Sequence, residues 1–198
     1  ATEASILETP LREIKTFGGL PDSFRGPVLV HGGTIKIIGD VPDGAAVVAD
    51  RGTANVSGYV LGRLLVSEHA EVQENIAGLL IAQRGNIRAR GIINRATVIA
   101  KLGRIACGSS QSPNLVYAGT QLRIRESAVQ GTYYAPRIRV EQEVNGGVWH
   151  ITNLLKAGFF LRSEQRSLDI VLRTSLGYED FGEALPREAV QLLRTASR

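Results

Sequence analysis

The sequence predicts an all-β fold, a single-stranded parallel β-helix of about six to eight rungs. Three observations carry that reading. First, a short apolar tripeptide ending in alanine returns along the middle of the chain. It reads "VVA" at 47–49, "LIA" at 80–82, "VIA" at 98–100, "VYA" at 116–118 and "YYA" at 133–135, with "LVS" at 65–67 filling the gap. The third positions step by 18, 15, 18, 18 and 17 residues. Second, a six-residue beat runs inside this period: Ile35, Val41, Val47; Val60, Val66, Val72; and Ile81, Ile87, Ile93, Ile99, Ile105. A helix needs apolar residues every three or four. Six-residue steps in threes instead describe a coil with three short faces, one aliphatic residue turned inward from each. Third, 22 glycines accompany only 6% aromatic residues, which suits tight corners and a narrow aliphatic core. An antiparallel sandwich would give strands at ~8–12-residue spacing, not a tripeptide returning near 18.

Taken in order, residues 1–30 lack the repeat, contain three prolines and read as a cap or lead-in. Residues 31–179 read as the β-helix with a closing strand. Val47, Ile81, Ile99 and Ile124 are expected in one apolar stack. "NGGVWHITNLLKAGFFLRS" holds the only Trp and two Phe and reads as a bulky lid on the last rung. "SLDIVLRTSLGY" alternates like one more strand. Residues 180–198 read as the start of a C-terminal helix, with Pro186 in its first turn; Val190 and Leu193 are expected to pair it into a modest oligomer, with the two caps preventing a fibre.

Composition narrows the function. No run approaches the ~18 apolar residues of a membrane span, and no basic-then-apolar leader argues for secretion. The single Cys107 rules out an intramolecular disulfide and fits a reducing, cytoplasmic setting. With no Met present, the chain is expected to be processed or to be a piece of a longer protein. There is no CxxC, HxH or HExxH, and no Walker loop or dinucleotide fingerprint. His31, His69 and His150 lie far apart and read as surface or cap residues. Cys107 reads as a small core hydrophobe. No catalytic residue, cofactor or metal is expected.

Charge is unevenly placed. From Arg84 to Arg139 there are ten Lys and Arg against Glu126 alone, a net +9, while the rest of the chain is net −5. Nine of the ten are Arg. Arg88, Arg104, Arg123, Arg125, Arg137 and Arg139 flank the inward residues Ile87, Ile105, Ile124 and Ile138, so they are expected to point outward on successive rungs ~4.8 Å apart. Two like charges at ~4 Å repel by about 1 kcal/mol in water. Such a stripe suits an acidic protein or an anionic surface. Tyr117, Tyr133 and Tyr134 occupy repeat positions, which disfavours base stacking.

The rung "GTIKIIGDVPDGAAVVADRG" (33–52) resembles the repeats of the flagellar assembly protein A family and of the MinC C-terminal domain, which follow G-x-I-x-V-x-G-x-V-x-x-G-A-x-V-x-A-x-x-G. "NRATVIAKLGRIACG" is similar to the former family's "NA-x-V-x-A-G-G-x-I" rung, "VNGGVWHITN" to its late "GG" rung, and "LDIVLRTSLGYED" to its closing strand before a helix. The likeness covers residues 28–195. The family's double glycines are partly lost, with Leu102 before Gly103 and Arg84 before Gly85. The resemblance implies a right-handed β-helix and a non-catalytic, cytoplasmic bacterial scaffold in flagellar assembly or cell-pole organisation. The alternative class is a hexapeptide-type acyltransferase, whose histidine base could only be His69 within the repeat. A polyanion or nucleic-acid binder is third.

Overall fold

A computed structural model of the chain describes residues 5–8, 14–17, 20, 22, 27–111, 113–161 and 165–176. These residues form one continuous sheet of twenty strands wound into a β-solenoid of about eight turns, and every strand pairing is parallel. No described residue is helical.

Three faces wrap the core. Face one takes the first halves of Pro27–Ile37 and Ala46–Val56, then Arg63–Val66, Leu79–Ala82, Thr97–Ala100, Leu115–Ala118, Thr132–Tyr134, Gly147–Ile151 and Leu168–Leu172. Face two takes the second halves of the first two strands. It continues with Ala70–Val72, Ile87–Ala89, Arg104–Cys107, Gln121–Ile124 and the first halves of Arg137–Asn145 and Leu154–Leu161. Face three begins as single bridges Val41–Val60–Ile76–Ile93 and widens into Ile92–Asn94, Ser109–Gln111 and Ala128–Val129. Ser5–Glu8 and Ile14–Phe17 add a partial rung before the first, on faces one and two, and the strand Pro27–Ile37 crosses residue 30.

Sequence and core connect through alternation. On face one the first and third tripeptide positions point inward: Val47/Ala49, Leu64/Val66, Leu80/Ala82, Val98/Ala100 and Val116/Ala118 stack in one buried core. Each fully buried aliphatic side chain contributes about 1.5–3 kcal/mol. The second tripeptide residue points outward. This corrects two expectations. Leu64–Val66, not "LVS" at 65–67, occupies the second rung, with Val47 opposite Leu64 and Leu64 opposite Leu80. Val47 and Ile124 lie in the inner core, but Ile81 and Ile99, although fully buried, belong to a separate cluster on the outer side of face one. The six-residue beat holds for Ile35, Val41 and Val47, for Val60, Val66 and Val72, and for Ile87, Ile93 and Ile105; Ile81 and Ile99 fall out of it. A strand side chain two positions from an inward one is inward, and one position away it is outward; counting in sixes across an irregular corner loses that parity.

The corners are tight by contact more than by conformation. Gly52, Gly85 and Gly103 lack positive φ. A Cβ on Gly103 would stand 1.9 Å from the Gly85 carbonyl oxygen, and one on Gly85 would stand 2.4 Å from that of Glu68. Side-chain ladders support the same corners: Asp40 Oδ1 accepts from the Tyr59 N–H at 2.7 Å, and Asn75 Oδ1 from the Ile92 N–H at 2.7 Å.

Trp149 is not a lid. It is fully buried on face one, stacks on Tyr133 at 4.0 Å and donates from Nε1 to the Gly146 carbonyl at 3.0 Å. A further rung, Leu154–Leu161 and Leu168–Leu172, lies outside it. The space for these rings comes from face three, where Ser110 replaces the isoleucine of the previous rung, Ile93. The Ser110 Oγ accepts from Asn114 Nδ2 at 2.6 Å, so the buried hydroxyl is satisfied. The predicted helix start at 180–198, with Val190 and Leu193, lies outside the described residues.

Candidate functional site

Face two turns its central column outward, in register from rung to rung: Lys36, Asn55, Glu71, Arg88, Ala106, Arg123, Arg139, Lys156. Its residues alternate with the buried pairs Ile87/Ala89, Leu122/Ile124 and Ile138/Val140, which fixes their direction. Arg104 and Arg137 stand in the neighbouring column with Gln121 between them, facing Leu154 on the last rung. Arg125 follows Ile124 at the corner, its N–H bonded to the Cys107 carbonyl. All six predicted arginines are exposed, and all belong to face two.

They do not form an unbroken ladder. Ala106 separates Arg88 from Arg123, so only Arg123 and Arg139 are direct neighbours. The column also runs further than the sequence reading took it, because Lys156 lies next to Arg139. Charge is partly balanced by Glu141, just beyond the segment counted. The Arg123 Nε donates to Glu141 Oε1 at 2.7 Å. That hydrogen bond, helped by the positive charge of Arg123, Arg139 and Arg125, holds the Glu141 carboxyl below its usual range. Arg90 approaches Glu71 at 3.9 Å. Among the described residues Arg88, Arg104, Arg125, Arg137 and Arg139 carry no ion pair. A carboxylate partner would find there planar donors able to make two parallel hydrogen bonds each.

Elsewhere the three histidines and the cysteine make contacts within the fold. His69 is exposed, and its Nδ1 accepts the Asn86 N–H at 2.9 Å, so the ring's other nitrogen carries the proton. His31 Nδ1 lies 3.0 Å from Asp50 Oδ2. His150 departs from the surface assignment: it is buried, stacked on Tyr134 at 4.2 Å, and its Nδ1 accepts from Arg173 Nε at 3.2 Å. Burial, then the Arg173 charge, holds its pKa below 6.5. Cys107 points inward as expected, and burial pushes its thiol up to about 12. Among the described residues no three His, Cys, Asp or Glu converge as a metal site. Tyr117, Tyr133 and Tyr134 are all buried.

Sequence reasoning missed Lys156, because its strand lies past the basic segment. It also missed the outer cluster on face one, Leu65, Ile81, Ile99, Tyr117 and Tyr134, whose signal was the middle residue of each tripeptide. The chain matches no family model, no curated protein and no solved structure. The class that the fold defines is the parallel β-solenoid. No helix among the described residues is long and apolar enough to cross a membrane.

Proposed function

We propose that this chain is a non-catalytic scaffold that captures an acidic protein partner on face two. One observation carries the reading: five arginines that carry no ion pair among the described residues are exposed on a single wall and held there by inward neighbours. Arginine is weakly hydrated and geometrically matched to carboxylates, so its concentration here favours recognition over simple solvation. Tyr117, Tyr133 and Tyr134, the tyrosines within the basic segment, are buried and offer no face for base stacking, which supports ranking nucleic acid after protein. His69 supports putting acyl transfer second, since a ring nitrogen accepting a backbone N–H leaves the other one protonated and unable to act as base. The right-handed winding, the bacterial cytoplasm and a role in flagellar assembly or cell-pole organisation rest on the resemblance and belong to the same proposal.

The test is a full-length variant carrying Arg104→Glu, Arg125→Glu, Arg137→Glu and Arg139→Glu, which leaves the Arg123–Glu141 pair intact. A polyglutamate peptide should bind the native chain more tightly than duplex DNA or anionic vesicles do. That binding should weaken with salt and vanish in the variant. Unchanged peptide binding in the variant would sink the reading, and tighter binding to DNA would move it to the third class.

A further inference from the structure

Ala106 breaks the outward column of face two, and the break has a shape. Arg88 stands on the rung before it and Arg123 on the rung after, both exposed and both in register with it. Their Cα atoms lie two rung steps apart, ~9.6 Å. Between them Ala106 carries only a methyl group and is half-buried, while Gly108, two residues on, is buried and adds no side chain. Arg104, two residues before Ala106 on the same strand, is exposed at one end of the break. Arg90 and Arg125 are also exposed, and each follows its flanking arginine by two residues, ~6.6 Å at strand geometry. The result is a notch that crosses the column parallel to the strands, with a small floor and two arginines along each side. Its charge is unevenly satisfied. Arg123 already gives Nε to Glu141 at 2.7 Å, and Arg90 lies 3.9 Å from Glu71. Among the described residues Arg88, Arg104 and Arg125 carry no ion pair, and they stand on three different sides of Ala106.

We infer that an extended acidic segment of the partner lies in this notch, across face two and parallel to its strands, with consecutive carboxylates turned alternately to the Arg88 row and the Arg123 row. Successive side chains of an extended chain point to opposite sides, and those on one side recur every ~6.6 Å. That is the step from Arg88 to Arg90 and from Arg123 to Arg125. A helix does not match the space. With its side chains it is ~10–12 Å across, wider than the ~9.6 Å between the backbones of the flanking rungs, and the long arginine side chains narrow that opening further. Each unpaired guanidinium can meet a carboxylate with two parallel hydrogen bonds. Ala106 thereby gains a role: a long side chain at the centre of the column would fill the seat. The inference rests on the reading of face two as a surface for an acidic partner, and it fixes the conformation and the place of the segment that docks.

The test changes the floor and leaves every charge in place. Two peptides of equal charge and length are titrated into the full-length chain by fluorescence anisotropy. One carries four contiguous glutamates within a neutral serine and glycine sequence. The other carries the same four glutamates separated by single serines, so that in an extended chain all turn to one row. The contiguous peptide should bind the native chain more tightly. Ala106→Ile places a stiff β-branched side chain on the outward floor and should weaken that binding about tenfold. Asn55→Ile, the same kind of change in the same column but outside the notch, should bind like the native chain. Native-like binding by Ala106→Ile, an equal loss in Asn55→Ile, or equal affinity for the two peptides overturns the notch and leaves acid capture by face two standing. No binding of either peptide by the native chain overturns both. Should Ala106→Ile also lower the melting temperature, Arg88→Gln and Arg125→Gln decide, one on each side of the notch. Both should weaken the contiguous peptide, and a loss at only one of them, or at neither, overturns the inference.

Discussion

Gly103 shows how closely successive turns approach. Its Cα sits over the Gly85 carbonyl, and a methyl group there would meet that oxygen at 1.9 Å. The obstacle is backbone, which cannot swing aside like a flexible side chain. Gly103→Ala should therefore destabilise the protein by about 3 kcal/mol, at the upper end of overpacking costs, measured by urea unfolding. The repeat showed that a glycine belonged at Gly52, Gly85 and Gly103. It did not show the reason, because a stacked carbonyl comes from another rung. His150 supplies a second test at this scale. The fold holds its imidazole neutral by burial and by the Arg173 charge, so its folded pKa lies below 6.5. Stability from this group is complete above 6.5 and is lost as pH falls, because the unfolded chain then takes a proton that the folded chain resists. Thermal melting at about pH 7.5 and about pH 5.5 should show a larger drop for the native protein than for His150→Phe. Nothing local in "VWHIT" distinguishes this histidine from a surface one; its neighbours Tyr134 and Arg173 are set by register.

At the level of strands, "TVIA" at 97–100 holds two buried aliphatics with different surroundings. Val98 is sealed between Leu80 and Val116 in the inner core, whereas Ile99 lies on the outer stripe between Ile81 and Tyr117. Val98→Asp should cost about 3–5 kcal/mol or prevent folding, as an unpaired charge in a dry interior does. Ile99→Asp should cost less, since it lies in the smaller cluster outside the sheet wall rather than inside the main core. Chemical denaturation of the two variants gives the order, and an equal or larger loss at Ile99 would contradict the two-cluster description. The parallel, stacked architecture was legible from periodicity alone, because repeating tripeptides have few other ways to pair. The side of the wall was not, since short strands joined by uneven corners shift parity between one face and the next. The arginines were placed correctly on an outer face because each flanks a strand's own inward residue. Their spacing and the Glu141 partner were not visible, because both depend on which residues become neighbours across rungs.

Considered whole, the solenoid has unlike ends. The first full rung is covered: Val28, Ile35 and Ile37 are buried, and Leu20 packs against them. Among the described residues no strand follows the last rung. Phe160, Ile170 and Leu172 continue inward columns, yet Leu172 is 77% exposed, while Ile151 beneath it is buried. An apolar end with unpaired strand edges favours self-association. Leu172→Lys should reduce concentration-dependent association in sedimentation velocity. With one end covered, the native association should stop at small assemblies. Filaments from the native chain, or no change on substitution, would contradict this picture.

Among the described residues, the strands of each turn pair only with the turn before and the turn after, in the manner of a coiled rope. Under a stretching force such a molecule has no single point of rupture. Pulled from Leu172 against an anchored front end, it should pay out turn by turn from the pulled end. A turn at the offset of 17 residues between Val116 and Tyr133 would release about 60 Å of slack at ~3.5 Å per residue, so an optical-tweezer trace should climb in a staircase of near-equal treads.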